Sequence, residues 1–287
     1  MTTQSELKES KVYNFLDEQN NFSIRFLEGQ KIIRDLALIH DVKNKGFVCF
    51  RDLTLTTLHL CSYLKHNESL GIFVDGENPK LRYKVEIHES GTFRTLLLPE
   101  TFDQLPESLN GIVRLVKMLP NNPKPYSSFI DLNHHAPQNV ANALLEKSYQ
   151  VQSQIFLGQH SDQSLLISKL PMPGSDKKAG KEDVSLERYL KEQMMAFREI
   201  LDMALMDDAD IMNQFQKRNL TFLHSKEMKF HCPCSQEQME SGVASLCLTE
   251  NLDQVFENDQ TLETRCDYCK TYYYVEKETV RKATQKS

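Results

Sequence analysis

An α+β protein in three parts is what this 287-residue sequence predicts: an N-terminal antiparallel-sheet domain with helices, a helical Met-rich linker, and a small C-terminal zinc-binding domain. Three observations carry that reading. Short runs of alternating apolar and polar residues, separated by turn-rich segments, recur between Phe22 and Leu170. A methionine-flanked apolar stripe at helical spacing follows Ser185. Five of the seven cysteines crowd into the last fifth of the chain, four of them as two close pairs. The length exceeds one comfortable core, which favours a large domain with an appendage, or two domains.

Taken in order, residues 1–20 read as a polar lead, frayed or helical, and "FSIRFLEGQKIIRDLALI" as a strand followed by a second apolar stretch. In "FRDLTLTTLHLCSYL", Leu53, Leu58, Cys61 and Leu64 come mostly three and four residues apart, which predicts a buried helical face with Cys61 as core. "SLGIFVDG", "LRYKVEIH" and "TFRTLLL" then predict an antiparallel meander, with Tyr83, Val85 and Ile87 alternating against charged neighbours. After a Pro/Asn-rich break, "LPNNPKPYSS", come a short strand "FIDL" and a helix opened by Pro137, with Val140, Leu144 and Leu145 as its stripe. "VQSQIFLG" and "QSLLISKL" form a hairpin that runs into "PMPGSDKKAGK", a domain boundary by its prolines, glycines and lysines.

The expected division is 1–174 as the α+β core domain, 175–228 as the helical linker and 229–287 as the zinc-binding, redox-switch domain. In the linker, Leu186, Leu190, Phe197, Ile200, Leu201, Ala204 and Leu205 trace the stripe, beside Met194, Met195, Met203, Met206 and Met212. Such a stripe usually packs on a core. Unbranched, polarizable methionines also suit an adaptable binding surface. The acids of "MDDAD" read as a solvated helix end.

Hydrophobic content of 40% and charged content of 26% match an ordinary soluble protein. The polar start "MTTQSELKES" and the lack of any membrane-length apolar run predict a cytoplasmic protein with no membrane partner. The N-x-[ST] matches at Asn21, Asn67 and Asn219 are then chance. Net charge is -6 but uneven: Glu199 to Glu263 holds thirteen acids against four Lys or Arg, a net of -9. That stretch would repel a phosphate backbone.

Cys232-x-Cys234, thirty-one intervening residues and Cys266-x-x-Cys269 supply two ligand pairs, the usual grip on tetrahedral Zn²⁺. His231 and His224 are nearby nitrogens left aside once four sulfurs are available. Zinc binding at such a site contributes on the order of 10 kcal/mol, most of it folding free energy. The intervening sequence needs it, having too few large apolar residues for a stable core of under about 70 residues. Ligating thiolates are also the form that oxidants attack. Oxidation joining Cys232 to Cys234 and Cys266 to Cys269 would expel the metal and unstaple the domain; a permanently closed structural zinc is the competing reading.

The arrangement "FHCPCS … TRCDYCKTYYYV" resembles the heat shock protein 33 family, the redox-regulated holdase chaperones. "KPYSSFIDLNHHAPQNVANALLEKSYQVQSQIFLG", "LLISKLPMPG" and "VDGENPKLRYKVEIHESGTFRT" are similar to that family's stretches upstream. The resemblance implies that Cys232, Cys234, Cys266 and Cys269 are zinc ligands when reduced and two disulfides when oxidised. It implies that the linker then unfolds, that the exposed surface binds unfolding client proteins without ATP, and that the active form is a homodimer. The family's Leu-Gly-Glu is absent from "LTLTTLHLCSYLK", its Gly-rich turn is thinned to "DGENP", and Cys247 is an extra thiol, read as inert.

Two rival readings compete with this one. For an enzyme, "GSDKKAGKE" misses the P-loop by one residue of spacing and puts Glu182 where Ser or Thr should stand, and "NHHAP" reads as an exposed turn. A closed four-sulfur site also leaves no open coordination position. For a zinc-ribbon nucleic-acid module with a purely structural zinc, Tyr272, Tyr273 and Tyr274 could stack on bases, against the acidic approach.

Overall fold

The structure, a computed structural model, describes residues 7–102, 107–171 and 182–284. Most of the lysine-rich boundary segment, 172–181, lies outside them. The chain forms two compact units, Met1–Phe230 and His231–Ser287. The architecture is α+β, as the alternating runs and helical stripes predict.

In the first unit a five-stranded sheet runs in the order β10-β1-β2-β9-β8 and a six-stranded sheet in the order β11-β5-β4-β3-β6-β7. The first comprises β1 (Lys11–Asp17), β2 (Phe22–Glu28), β8 (Ser153–Leu157), β9 (Gln163–Lys169) and β10 (Thr221–Glu227). The second comprises β3 (Ser69–Asn78), β4 (Lys80–His88), β5 (Thr92–Leu98), β6 (Leu109–Leu119), β7 (Asn122–His135) and the short β11 (Lys229–Phe230). All pairings are antiparallel except β11 with β5. Helices α1 (Gln30–Ile39), α2 (Asn44–Thr57) and α3 (Val140–Lys147) are joined by a 3-10 turn over Leu58–Tyr63 to the same core, and Cys61 is buried there as expected.

Three local expectations change. The polar lead contains β1, a strand clasped between β2 and β10. The "LPNNPKPYSS" segment is a hairpin tip followed by the first half of β7, not a break, and "FIDL" is the far half of that one strand. Its prolines are tolerated because β7 lies at a sheet edge, where a missing N–H breaks no ladder. The "MDDAD" acids are not merely solvated: Asp207 caps α5 (Asp208–Gln216), while Asp208 accepts from Lys11 Nζ and Tyr13 Oη, each at 2.7 Å.

The first sheet is buried on both faces. Period-two alternation sends Val12, Leu27 and Leu166 into the larger core and Tyr13, Phe15, Phe22, Ile24, Phe26, Leu165 and Ile167 to the opposite side. That second face is covered by α4 (Leu186–Asp202), capped by Ser185, and by α5. Tyr189 stacks on Phe22 with ring centroids 3.9 Å apart and donates its hydroxyl to Asp17; Phe215 stacks on Phe15 at 4.3 Å and also meets Phe26 and Phe197. Aromatic pairs of this kind contribute about 0.5–1.5 kcal/mol each beyond burial. The methionines divide: Met194 packs on this cluster, whereas Met195, Met203 and Met206 are exposed. Among the described residues no helix is long and apolar enough to cross a membrane.

Phe215→Ala should therefore destabilise the first unit by about 3–5 kcal/mol, since it empties the centre of an aromatic cluster. Met195→Ala should change it by less than about 0.5 kcal/mol. Urea unfolding of the reduced protein checks both, and equal effects would contradict the packing described.

Candidate metal and redox centre

The second unit is a two-stranded sheet, β12 (Thr261–Arg265) against β13 (Tyr272–Glu276), with α6 (Gln236–Leu246), a short α7 (Leu252–Val255) and α8 (Lys277–Thr284). Its buried apolar core consists of Val243, Phe256, Val275 and Val280, with Met239, Ala244, Cys247, Leu252, Val255 and Leu262 half-covered around it. Cys247 thus packs as an apolar side chain away from the four-thiol cluster, and burial raises its pKa.

Two local structures present the four thiols. Cys232 and Cys234 precede Ser235, whose hydroxyl caps α6 by accepting from Gln238 N. Cys266 and Cys269 sit on the turn joining β12 to β13. There Lys270 N donates to Cys266 O at 2.9 Å, Cys266 N donates to Thr271 O at 2.9 Å, and Lys270 adopts a positive φ of 62°. The turn folds the Cys-x-x-Cys pair back so that both sulfurs face the other pair. All four ligand atoms lie within 4.8 Å of one another, with Cys232 Sγ 3.7 Å from Cys266 Sγ and Cys234 Sγ 3.2 Å from Cys269 Sγ.

Four sulfurs around tetrahedral zinc at about 2.3 Å stand about 3.8 Å from one another. The observed cluster fits that spacing, and its donor set is all sulfur. It could hold a metal ion. No histidine belongs to it; His231 and His224 stay outside.

The thiols are electrostatically unequal. Burial first, then the hydrogen bond with the Cys234 side chain and the neighbouring Cys266, pushes Cys232 up to about 12, and burial also raises Cys234. At Cys269 burial is outweighed by hydrogen bonds with the side chain and backbone of Thr271 and with Cys234 and Cys266, which bring it down to about 7. Of these three, Cys269 forms its thiolate most readily, and the thiolate is both the nucleophile and the ligand form. The thiols are only partly covered, Cys266 excepted, so small oxidants can reach them.

Tyr273 belongs to this site, a role the sequence reading missed. Its hydroxyl lies 3.0 Å from Cys234 Sγ and donates to Cys234 O at 3.2 Å, tying β13 to the first cysteine pair. Strand alternation was the available signal, since it turns Tyr273 inward while Tyr272 and Tyr274 are exposed. His134 and His135 lie on β7 of the first unit, exposed and half-buried respectively, and neither belongs to the four-thiol cluster.

A family model described as Hsp33 protein matches residues 10–276. The 33 kDa chaperonin of Histophilus somni (strain 129Pt) is 19% identical over 282 residues, spanning 95% of this chain and 96% of that protein. The 33 kDa chaperonin of Bacillus cereus (strain B4264) is 38% identical over 58 residues, 20% of each chain. Among solved structures, the 33 kDa chaperonin of Thermotoga maritima shares the fold at a TM-score of 0.68 and 13% identity, covering 97% of this chain and 98% of its own.

Stripping metal from the reduced protein with a chelator should abolish amide protection across residues 231–287 and leave the strands of the first unit protected. Hydrogen–deuterium exchange reads this directly. Protection retained in both units after complete metal removal would show that the small core suffices alone.

Proposed function

We propose, from the premise that this chain belongs to the Hsp33 family of non-enzymatic chaperonins, that it is an ATP-independent holdase switched on by oxidation of Cys232, Cys234, Cys266 and Cys269. The observation that carries the reading is the convergence of these four sulfurs within 4.8 Å in a unit whose buried apolar core has four residues. In the resting state the four thiolates hold Zn²⁺, which when bound supplies the folding free energy that this core lacks.

Oxidation by a hydroperoxide proceeds on the chain's own sulfurs. One thiolate attacks the terminal peroxide oxygen, breaking the O–O bond and becoming a sulfenic acid while the other oxygen leaves as alkoxide or hydroxide and takes a proton from water; a neighbouring thiolate then attacks that sulfur and displaces hydroxide, which is protonated to water. Each disulfide consumes one hydroperoxide and two thiols, so joining Cys232 to Cys234 and Cys266 to Cys269 consumes two and four. Sulfurs joined in this way no longer serve as thiolate ligands, and residues 229–287 lose their staple.

The linker, 175–228, supplies the binding surface in this reading. Its aromatic and aliphatic face is docked on the first sheet through Tyr189, Phe197, Ile200, Leu201 and Phe215. Undocking would expose both that face and the sheet's own Phe15, Phe22 and Phe26 to unfolding client proteins. Ile112 and Phe129, exposed on the β6–β7 hairpin, add apolar surface present before activation. The active form is a homodimer and the protein works in the cytoplasm.

A variant carrying Cys266→Ser and Cys269→Ser should no longer gain aggregation-suppressing activity on peroxide treatment, and peptide mapping of the oxidised parent should find the two sequence-neighbour disulfides. A normal peroxide-dependent gain in the variant would remove the switch from these residues.

A further inference from the structure

The face of the first sheet that looks away from α4 and α5 carries an unneutralised positive charge. Strand register sets His224 of β10, Asn14 of β1 and Arg25 of β2 side by side, and the alternation that buries Phe22, Ile24 and Phe26 on one side puts Ser23 and Arg25 on the other. These residues, with Ser62 and Lys226, line a cavity of about 240 Å³ beneath the 3-10 turn.

Arg25 is the anomaly there. Its Nε and Nη1 are buried with no hydrogen-bond acceptor among the described residues, and its guanidinium lies 4.6 Å from the centre of the Tyr63 ring. Buried guanidinium groups are ordinarily paired with a carboxylate. Here no acid lines the cavity among the described residues. Lys226 brings a second cation, its ammonium donating to Glu89 O, and the nearby buried His59 bonds Ser164 Oγ through Nε2 at 2.8 Å. Burial, and then the charge of Arg25 itself, hold His59 far below its ordinary pKa, so it adds no charge and cannot neutralise any.

The geometry points to a binding site for a small oxyanion, a phosphate or carboxylate group, held by Arg25 and Lys226 with Asn14, Ser23 and Ser62 as neutral hydrogen-bonding partners. The planar guanidinium suits such a group because its N–H pairs match two oxygens at once. A bound anion would also bridge β2 and β10, the strand through which the chain leaves α5.

The test is isothermal titration calorimetry of the reduced, full-length protein with inorganic phosphate and, separately, acetate, at constant ionic strength in chloride. The expected result is saturable one-site binding of at least one of them, weakened at least about tenfold in Arg25→Gln and unchanged in Arg82→Gln, which alters an exposed arginine of β4. Binding of phosphate alone would identify a tetrahedral oxyanion; binding of both would extend the site to carboxylates. Should Arg25→Gln fail to fold, Lys226→Gln is read in the same way. No saturable binding of either anion, or equal affinity in parent and cavity variant, would overturn the assignment.

Discussion

Four sulfurs delivered by two chain segments thirty-one residues apart must meet within 4.8 Å, and nothing in the apolar content of the surrounding unit is large enough to enforce that meeting. Val243, Phe256, Val275 and Val280 are its buried core. Domains of this size ordinarily require a metal, disulfides or an unusually dense core. Hydrogen bonds within the Cys-x-x-Cys turn and from Tyr273 orient the thiols, and a metal ion held by the four sulfurs would add on the order of 10 kcal/mol to the folding of this unit. The fold of the second unit and the chemistry of its thiols are therefore one problem: what changes the sulfurs changes the fold.

The first unit has the opposite character. Its first sheet is covered on both faces, one by the main core and the other by α4 and α5. That second cover is built from large aromatic contacts and is also tied to the sheet by polar ones. Asp17 receives the Tyr189 hydroxyl, Asp208 receives Lys11 and Tyr13, and Ser161 Oγ donates to Leu201 O at 2.7 Å. The proposed function requires this layer to detach as a block while the remaining core keeps its own burial. The same sheet thus carries the main core on one side and the helical layer on the other.

Much of this is legible in the amino-acid sequence. Cysteine spacing is a strong signal because two close thiol pairs have few uses other than a shared ligand. The meander and the α4 stripe were legible because periods of two and 3.6 were undiluted there. Several strands were not, the eleven-residue β6 among them. β1 carries apolar residues on both faces, which erases simple alternation; β7 contains Pro123 and Pro125, which read as a break in any strand other than an edge; and β10 is another edge strand, mostly exposed. Tyr273 was hidden for a related reason, since three consecutive tyrosines give no hint of which one turns inward until the pairing of β13 with β12 is known. Arg25 looked like an ordinary polar residue in an alternating strand, and its environment depends on β10 arriving from two hundred residues away.

The most direct measurement is zinc content and free-thiol count on one sample of reduced protein, before and after peroxide with mild heating, read beside suppression of a model client's aggregation. The account predicts release of about one zinc together with loss of about four thiols and a gain of holdase activity. Zinc and thiols both retained, or lost with no change in activity, would contradict it.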